Sequence, residues 1–472
     1  MWRKSCPKPW SPDHGSAAGG IVTQTVTVIG GGLAGSEAAW QLAERGSRVR
    51  LFEMRPVRTT PAHHTDKLAE LVCSNTFKST EVTNAHGLLK AEMRSLGSMI
   101  LECADEARVQ AGSALAVDRD VFAAAVTRRI ESHPLIEIHR EEVTEIEGPC
   151  VVATGPLTSD ALADAMRARL GVNALAFYDA IAPIVSRESI DETIAFTASR
   201  YGRETMENAA EEGAYLNCPM NREEYEAFIQ ALTSADQFHG HEFDEVPYFE
   251  GCMPVEVSAA RGSDTLRFGP MKPVGLTDPR TGRRPWAVVQ LRREDRNGNM
   301  WNVVGFQTRL RIPEQQRVLR LIPGLADAEF LRYGSIHRNS YLNSPAALTH
   351  HLSARDDQTV LFAGQITGVE GYTESSATGL LAGINLSRML SRLDPVLPPV
   401  DTMLGALYRY LREAEPKHFQ PMNANFGLLD DLGEPVRDKK VKRQRFADRA
   451  LMAMSNWARE NALLPVAAAT SS

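Results

Sequence analysis

Cysteine is scarce: six residues among 472, with no two at C-x-x-C spacing. Thiols this far apart in a long chain do not suggest a disulfide framework, and in a reducing compartment they are left single for chemistry. No apolar run is long enough to cross a bilayer. The opening MWRKSCPKPWSPDHGSAAGG carries positive charge but lacks the apolar stretch of a secretory signal. It reads as a disordered leader over 1–22, and the chain as cytoplasmic. H-E-x-x-H is absent, and His63-His64 has no further ligand at metal-binding spacing, so no metal is expected. That loop suits a cofactor or substrate phosphate better. A net charge of −7 argues against a general nucleic-acid binder.

What is present is a soluble globular composition, 43% apolar and 24% charged, long enough for two or three domains. Residues 25–54, TVTVIGGGLAGSEAAWQLAERGSRVRLFEM, form a complete βαβ pattern. A β-branched strand leads into Gly30, Gly31, Gly32, Leu33, Ala34 and Gly35, then a helix, then a strand ending at Glu53. In this G-x-G-x-x-G arrangement the first glycine makes the turn, the second admits a pyrophosphate, and the third lets helix pack on strand. The helix start offers unpaired N–H groups to phosphates, and Glu53 can accept ribose hydroxyls.

Farther along, the spacing predicts a helix from Asp118 and strands over 135–139 and 142–147. A strand then runs into Ala153-Thr154-Gly155, with a helix from about Ser159. From about 180 to 330 the pattern is mixed, with a helix over 221–235 and a hairpin turning at Asn297-Gly298. Residues 359–390 then repeat the strand–glycine turn–helix pattern, as in the late segment that closes a flavin domain. The expected fold is α/β: a Rossmann-type FAD-binding domain with an inserted mixed α+β domain. Its parts are 23–180 and 331–395 for the FAD domain, 181–330 for the insertion, and 396–472 for a helical tail. That tail holds RDKKVKRQRFADR, with seven basic residues against two acidic. Such a run is usually a solvated helix face.

Five stretches, VIGGGLAGSEAAWQLAERG, ELVCSNTFKS, FEGCMPVEV, FAGQITGVEGYTES and PMNANFGLL, carry a more specific signal. Through them the chain resembles, along nearly all its length beyond the leader, the folate- and FAD-dependent tRNA uracil-5 methyltransferases, the TrmFO family. The related GidA/MnmG family modifies wobble uridines. FEGCMPVEV and ELVCSN favour the former. The resemblance implies carbon from 5,10-methylenetetrahydrofolate, electrons from reduced FAD, NADH or NADPH as reductant, and a T-loop uridine in tRNA as acceptor. It implies two active-site cysteines, falling on Cys252 and Cys73. It also implies folate stacking by Tyr372 and flavin contacts at Gly364 and Gln365. No obligatory protein partner follows from it. A polyanionic substrate gives the basic run a use, so Lys439, Lys440, Lys442, Arg443 and Arg445 become candidate tRNA contacts, with Arg283, Arg284, Arg292 and Arg293 behind them.

The chemistry fits those residues. Uracil C5 is a poor nucleophile until a thiolate adds at C6, and a base must later remove the C5 proton. A folate methylene needs two more electrons to become a methyl group, which explains a redox cofactor in a methyltransferase. Cys252 is assigned as nucleophile and Cys73 as acid/base or flavin-adjacent partner, with the reverse division open. Glu250 and Glu256 stand awkwardly beside a thiolate. Cys6, Cys103, Cys150 and Cys218 read as ordinary small hydrophobes. Competing readings are a GidA-like wobble-uridine enzyme needing a partner, an NAD(P)H flavin oxidoreductase of a small molecule, and a non-catalytic RNA-binding flavoprotein.

Overall fold

The computed structural model describes residues 25–60, 62–171, 175–200, 215–238 and 253–463. The leader and Cys252 lie outside them.

The β-branched strand Thr25–Ile29 buries Val26 and Val28 completely. It sits at the centre of a five-stranded, wholly parallel sheet. On one side it pairs with Arg48–Phe52, which pairs in turn with Ile136–His139. On the other it pairs with Cys150–Val152, whose outer neighbour is Val360–Phe362. The chain therefore leaves this sheet after residue 152 and returns to it some two hundred residues later. Parallel pairing needs crossovers, and the helix Leu33–Ala43 supplies the first.

Helix Tyr372–Leu390 lies directly on Leu33–Ala43. Its run of small residues is what permits the contact. A side-chain carbon at Gly379 would stand 2.1 Å from the Ala34 carbonyl oxygen, and one at Gly383 would stand 2.7 Å from that of Ala38. Only glycine lets the two backbones approach so closely.

A second sheet has six antiparallel strands, ordered Phe196–Thr197, Tyr215–Met220, Ala287–Arg293, Met300–Val303, Ile184–Ser186 and Phe330–Arg332. It has its own core, in which Leu216, Cys218, Val289, Leu291, Trp301 and Val303 are buried. The expected hairpin turns at Gly298, with φ +70°. A two-stranded ribbon, Leu175–Ile181 against Ser335–Tyr341, borders this region at both ends of its sequence. A three-stranded sheet, Thr76–Ser79, Ala114–Val117 and Arg108–Val109, joins the two units.

Several local expectations hold to the residue. Asp118 caps helix Arg119–Glu131 through the N–H groups of Asp120 and Val121. Asn221 and Glu224 form a capping box on helix Arg222–Ser234. One does not hold: residues 142–147 form no strand. Val143 and Ile146 still pack on the main core, but the segment borders a cleft instead of pairing at the sheet edge.

Candidate active-site cleft

The glycine motif builds a cradle at the head of helix Leu33–Ala43. Gly30 takes φ +102°, and a side-chain carbon at Gly35 would sit 1.8 Å from the Gly30 oxygen. At Gly32 the same carbon would meet nothing within 4 Å. The missing side chain at Gly32 is thus not required by the protein's own packing, and the open space suits a pyrophosphate on the helix start. The prediction separates the two positions. Gly32→Ala should keep its thermal midpoint but bind flavin about tenfold or more weakly, whereas Gly35→Ala should lose on the order of 1–3 kcal/mol through overpacking. Flavin-to-protein ratio and melting curves check both.

Beside the cradle a small cleft is lined by Glu53, Arg55, Thr60, His63 and Thr154 among others. One Glu53 oxygen accepts the Gly31 N–H at 3.0 Å. The other accepts the Arg55 N–H and Nε at 3.0 and 2.9 Å. Burial works against the Glu53 charge, but Arg55 and the backbone donors outweigh it and hold the carboxylate low. The same Arg55 also meets Glu70 at 3.0 Å. Burial and the Arg55 cation push His63 down to about 4. That ring is neutral near pH 7, so any contact it makes with a phosphate is a hydrogen bond and not an ion pair.

A larger cleft opens between the parallel-sheet unit and the antiparallel one. Cys73, Lys78, Gln365, Gly371, Tyr372 and Asn423 line one side, and Arg292, Asn302, Val304 and Gln307 the other. Half-buried Cys73 sits in a loop whose backbone is gripped on all sides. Arg119 donates to the carbonyls of Leu71 at 2.8 Å and Cys73 at 2.7 Å. Arg332 donates to Val72 at 3.1 Å, and the Cys73 N–H donates to the Tyr372 hydroxyl at 2.9 Å. Next along, fully buried Asn75 donates to the Val117 and Arg293 carbonyls and accepts from Arg292 Nε, each at 2.9 Å. Arg119 is kept charged against burial chiefly by Glu294, 2.7 Å away and 2% exposed.

Arg292, a candidate RNA contact, is buried at the cleft wall, where it donates to Asn75. The sequence reading also missed Arg119, Arg332 and Glu294. One signal was available for Arg119: it occupies the first position of a helix, where the dipole favours an acid.

The other quoted stretches converge on the same place. Gly364 takes φ +82°, its N–H donates to Thr378 Oγ1 at 2.7 Å, and Gln365 Nε2 donates to Glu370 at 2.6 Å. Tyr372 leans on Phe77, ring centres 5.7 Å apart. Glu374, 1% exposed, accepts the Ala424 N–H at 2.9 Å and stands 3.0 Å from His86 Nδ1. Burial pushes its carboxyl up, but His86, Lys78 and the Ala424 N–H prevail and hold it at about 2. In this way PMNANFGLL is fastened beside GYTES. Of FEGCMPVEV, the described part begins at Met253. The Val255 N–H donates to the Gln307 carbonyl at 2.7 Å, and Gln307 lines the cleft. Glu256 is turned toward Thr308 Oγ1 and the Arg309 N–H, at 2.9 and 2.8 Å.

The remaining described cysteines, Cys103, Cys150 and Cys218, are fully buried, and burial pushes each thiol up to about 12. Such thiols are inert. On helix Lys439–Glu460, Lys442 pairs with Asp431 at 2.9 Å and Arg445 pairs with Glu434, so part of the basic run is answered within the chain. Lys439, Lys440 and Arg443 are exposed.

Comparison with known proteins agrees with this geometry. Residues 25–394 match the family model GIDA, described as glucose inhibited division protein A. The chain is 55% identical over 438 residues to the methylenetetrahydrofolate–tRNA-(uracil-5-)-methyltransferase TrmFO of Geobacter sulfurreducens, covering 92% of this chain and 99% of that one. It is 55% identical over 433 residues to the enzyme of the same name from Anoxybacillus flavithermus, with the same coverage. Among solved structures, GidA of Aquifex aeolicus superposes with a TM-score of 0.66 at 16% identity, over 94% of this chain and 75% of that one. That likeness bears on the fold alone, and the fold is the GidA-like α/β arrangement expected.

Proposed function

The chain belongs to the TrmFO family within the wider GIDA family, and from that premise we propose that it methylates uracil C5 in the tRNA T-loop, taking carbon from 5,10-methylenetetrahydrofolate. The observation that carries the reading is the joint position of the cleft. It borders the late segment Gly364–Tyr372 of the dinucleotide unit, contains the LVCSN cysteine, and reaches the anchor of the FEGCMPVEV segment at Gln307.

FAD, when bound, supplies the two electrons that take the methylene to a methyl group. The Gly30–Gly35 cradle and Glu53 would hold its dinucleotide part, with Gly364 and Gln365 toward its ring. NADH or NADPH as reductant belongs to the same reading. Cys252 is assigned to add at uracil C6 and Cys73 to move a proton or stand beside the flavin. Cys252 lies outside the described residues, so its assignment rests on the motif. Tyr372 is assigned to stack on the pterin. Its hydroxyl, bound to the Cys73 N–H, would tie folate position to the thiol loop. Lys439, Lys440, Lys442, Arg443 and Arg445 are assigned to tRNA phosphates. Lys442 and Arg445 must exchange an acidic partner to serve, which costs little at an exposed pair. A base stacked in a folded T-loop must also be extracted before it can react.

Purified chain, labelled methylenetetrahydrofolate, NADPH and unmodified tRNA should put label on T-loop uracil C5 without added protein. Label at the wobble position, or a strict need for a second subunit, would favour the GidA-like alternative. Rapid NADPH oxidation with no need for folate or RNA would favour a small-molecule oxidoreductase.

A further inference from the structure

Among the described residues eight carboxamide side chains are buried. Six are satisfied by the protein. Gln41 bonds Glu37 and the Gly97 carbonyl, Asn75 the groups named above, and Asn217 the carbonyls of Phe196 and Ala198. Gln290 bonds Asn217, Gln315 the Leu310 and Gly334 carbonyls, and Asn385 both polar groups of Val396. The other two, Asn302 and Asn339, have no side-chain hydrogen-bond partner among the described residues. Each is only 4% exposed, and both line the Cys73 cleft.

The sheet explains why Asn302 stands out. Strand Ala287–Arg293 is buried on both faces, with Ala287, Val289 and Leu291 entering the second core. Its opposite face carries Gln290 and Arg292, and antiparallel pairing sets Asn217 across from Gln290 and Asn302 across from Arg292. Three members of this polar face are hydrogen-bonded within the protein, to one another or to Asn75 and main-chain carbonyls. Asn302 is the exception, and it faces open space. Both amides turn their polar atoms to the cleft and not to the protein, so a ligand there can take the place of water on them. Two such amides sharing one cleft point to a ligand.

We propose that Asn302 and Asn339 form a subsite for a lactam edge, a ring N–H beside a C=O. A carboxamide offers the matching acceptor and donor and can make two parallel hydrogen bonds to it. Uracil and the pterin of the folate both carry this edge. The inference rests on the methyltransferase reading and goes beyond it by naming the groups that bind a substrate ring. Asn302 stands on the antiparallel sheet, across the cleft from Gly371 and Gln365, so it faces incoming ligands and not the cofactor cradle.

The test uses the full flavin-loaded chain and its Asn302→Ala, Asn339→Ala and Asn302→Asp variants. Kinetics for T-loop minihelix RNA and for methylenetetrahydrofolate are measured separately. Equilibrium binding of minihelix and of tetrahydrofolate is followed by fluorescence and requires no turnover. Each alanine variant should lose about 10–100-fold in kcat/KM or affinity for one of the two ligands. A uracil subsite predicts that a minihelix with 3-methyluridine at the target binds the wild type poorly and the variants no worse than unmodified RNA does, because both changes remove the same bond. A pterin subsite predicts a raised folate KM with RNA affinity intact. Variants that match the wild type within about twofold for both ligands, or that release flavin, overturn the proposal. A wild type that binds both ligands but transfers no carbon would sink the methyltransferase reading and leave the binding comparison standing.

Discussion

Chains carrying Cys252→Ala or Cys73→Ala are expected to retain their flavin and to lose carbon transfer to RNA, by about 10⁴-fold or more for the nucleophile and about 10²–10⁴-fold for an acid/base group. Without addition at C6 the uracil ring keeps its electrons on the carbonyls, and no amount of positioning makes C5 attack an electrophile. Cys103, Cys150 and Cys218, the other cysteines among the described residues, cannot substitute, because they are fully buried and burial raises each to about 12. Their alanine variants are therefore suitable controls, losing some packing but no chemistry. Flavin absorbance and incorporation of labelled carbon measure the two properties side by side. Transfer within tenfold of wild type in Cys73→Ala would remove that thiol from the reaction, whatever its place in the cleft.

Arg119→Met is expected to cost both stability and activity, and a second substitution separates the two. Glu294 is 2% exposed and stands 2.7 Å from Arg119 Nε. Removing the arginine leaves buried Glu294 with only the longer contact to Arg292, at 3.9 Å, at a cost of up to about 3–5 kcal/mol. Replacing both members, Arg119→Met with Glu294→Leu, should recover most of that loss, since an apolar pair of similar size is often as stable as a buried ion pair. Carbon transfer should not recover. The carbonyls of Leu71 and Cys73 would still lack this donor, and the thiol loop would lose two of the bonds that position it. Denaturant midpoints give the first comparison and labelled transfer the second. Activity returning together with stability would show that the guanidinium serves packing alone.

The parts of the fold legible in the sequence are those governed by neighbours along the chain. The glycine motif, the caps Asp118 and Asn221 and the turn at Gly298 each state their conformation within a few residues. Residues 142–147 misled for the opposite reason: their β-forming pattern is local, whereas the absence of a strand partner is not. Of the site, the motif residues Cys73, Gly364, Gln365 and Tyr372 were nameable in advance, and the structure brings Cys73, Gln365 and Tyr372 to a single cleft. Arg119, Arg332 and Glu294 carried almost no signal, because each acts on a segment tens to hundreds of residues away.

What the sequence determined alone was the class of cofactor and the candidates for the reactive groups. A glycine-bounded turn before a helix makes an anion site from its own backbone, and a thiol remains a thiol wherever it lies. Tertiary structure alone decided which charges are internal struts, such as Arg292, and which amides face a cleft instead of a partner in the protein, such as Asn302. Burial and hydrogen-bond partnership are properties of pairs brought together by folding. No single residue carries them in its own chemistry.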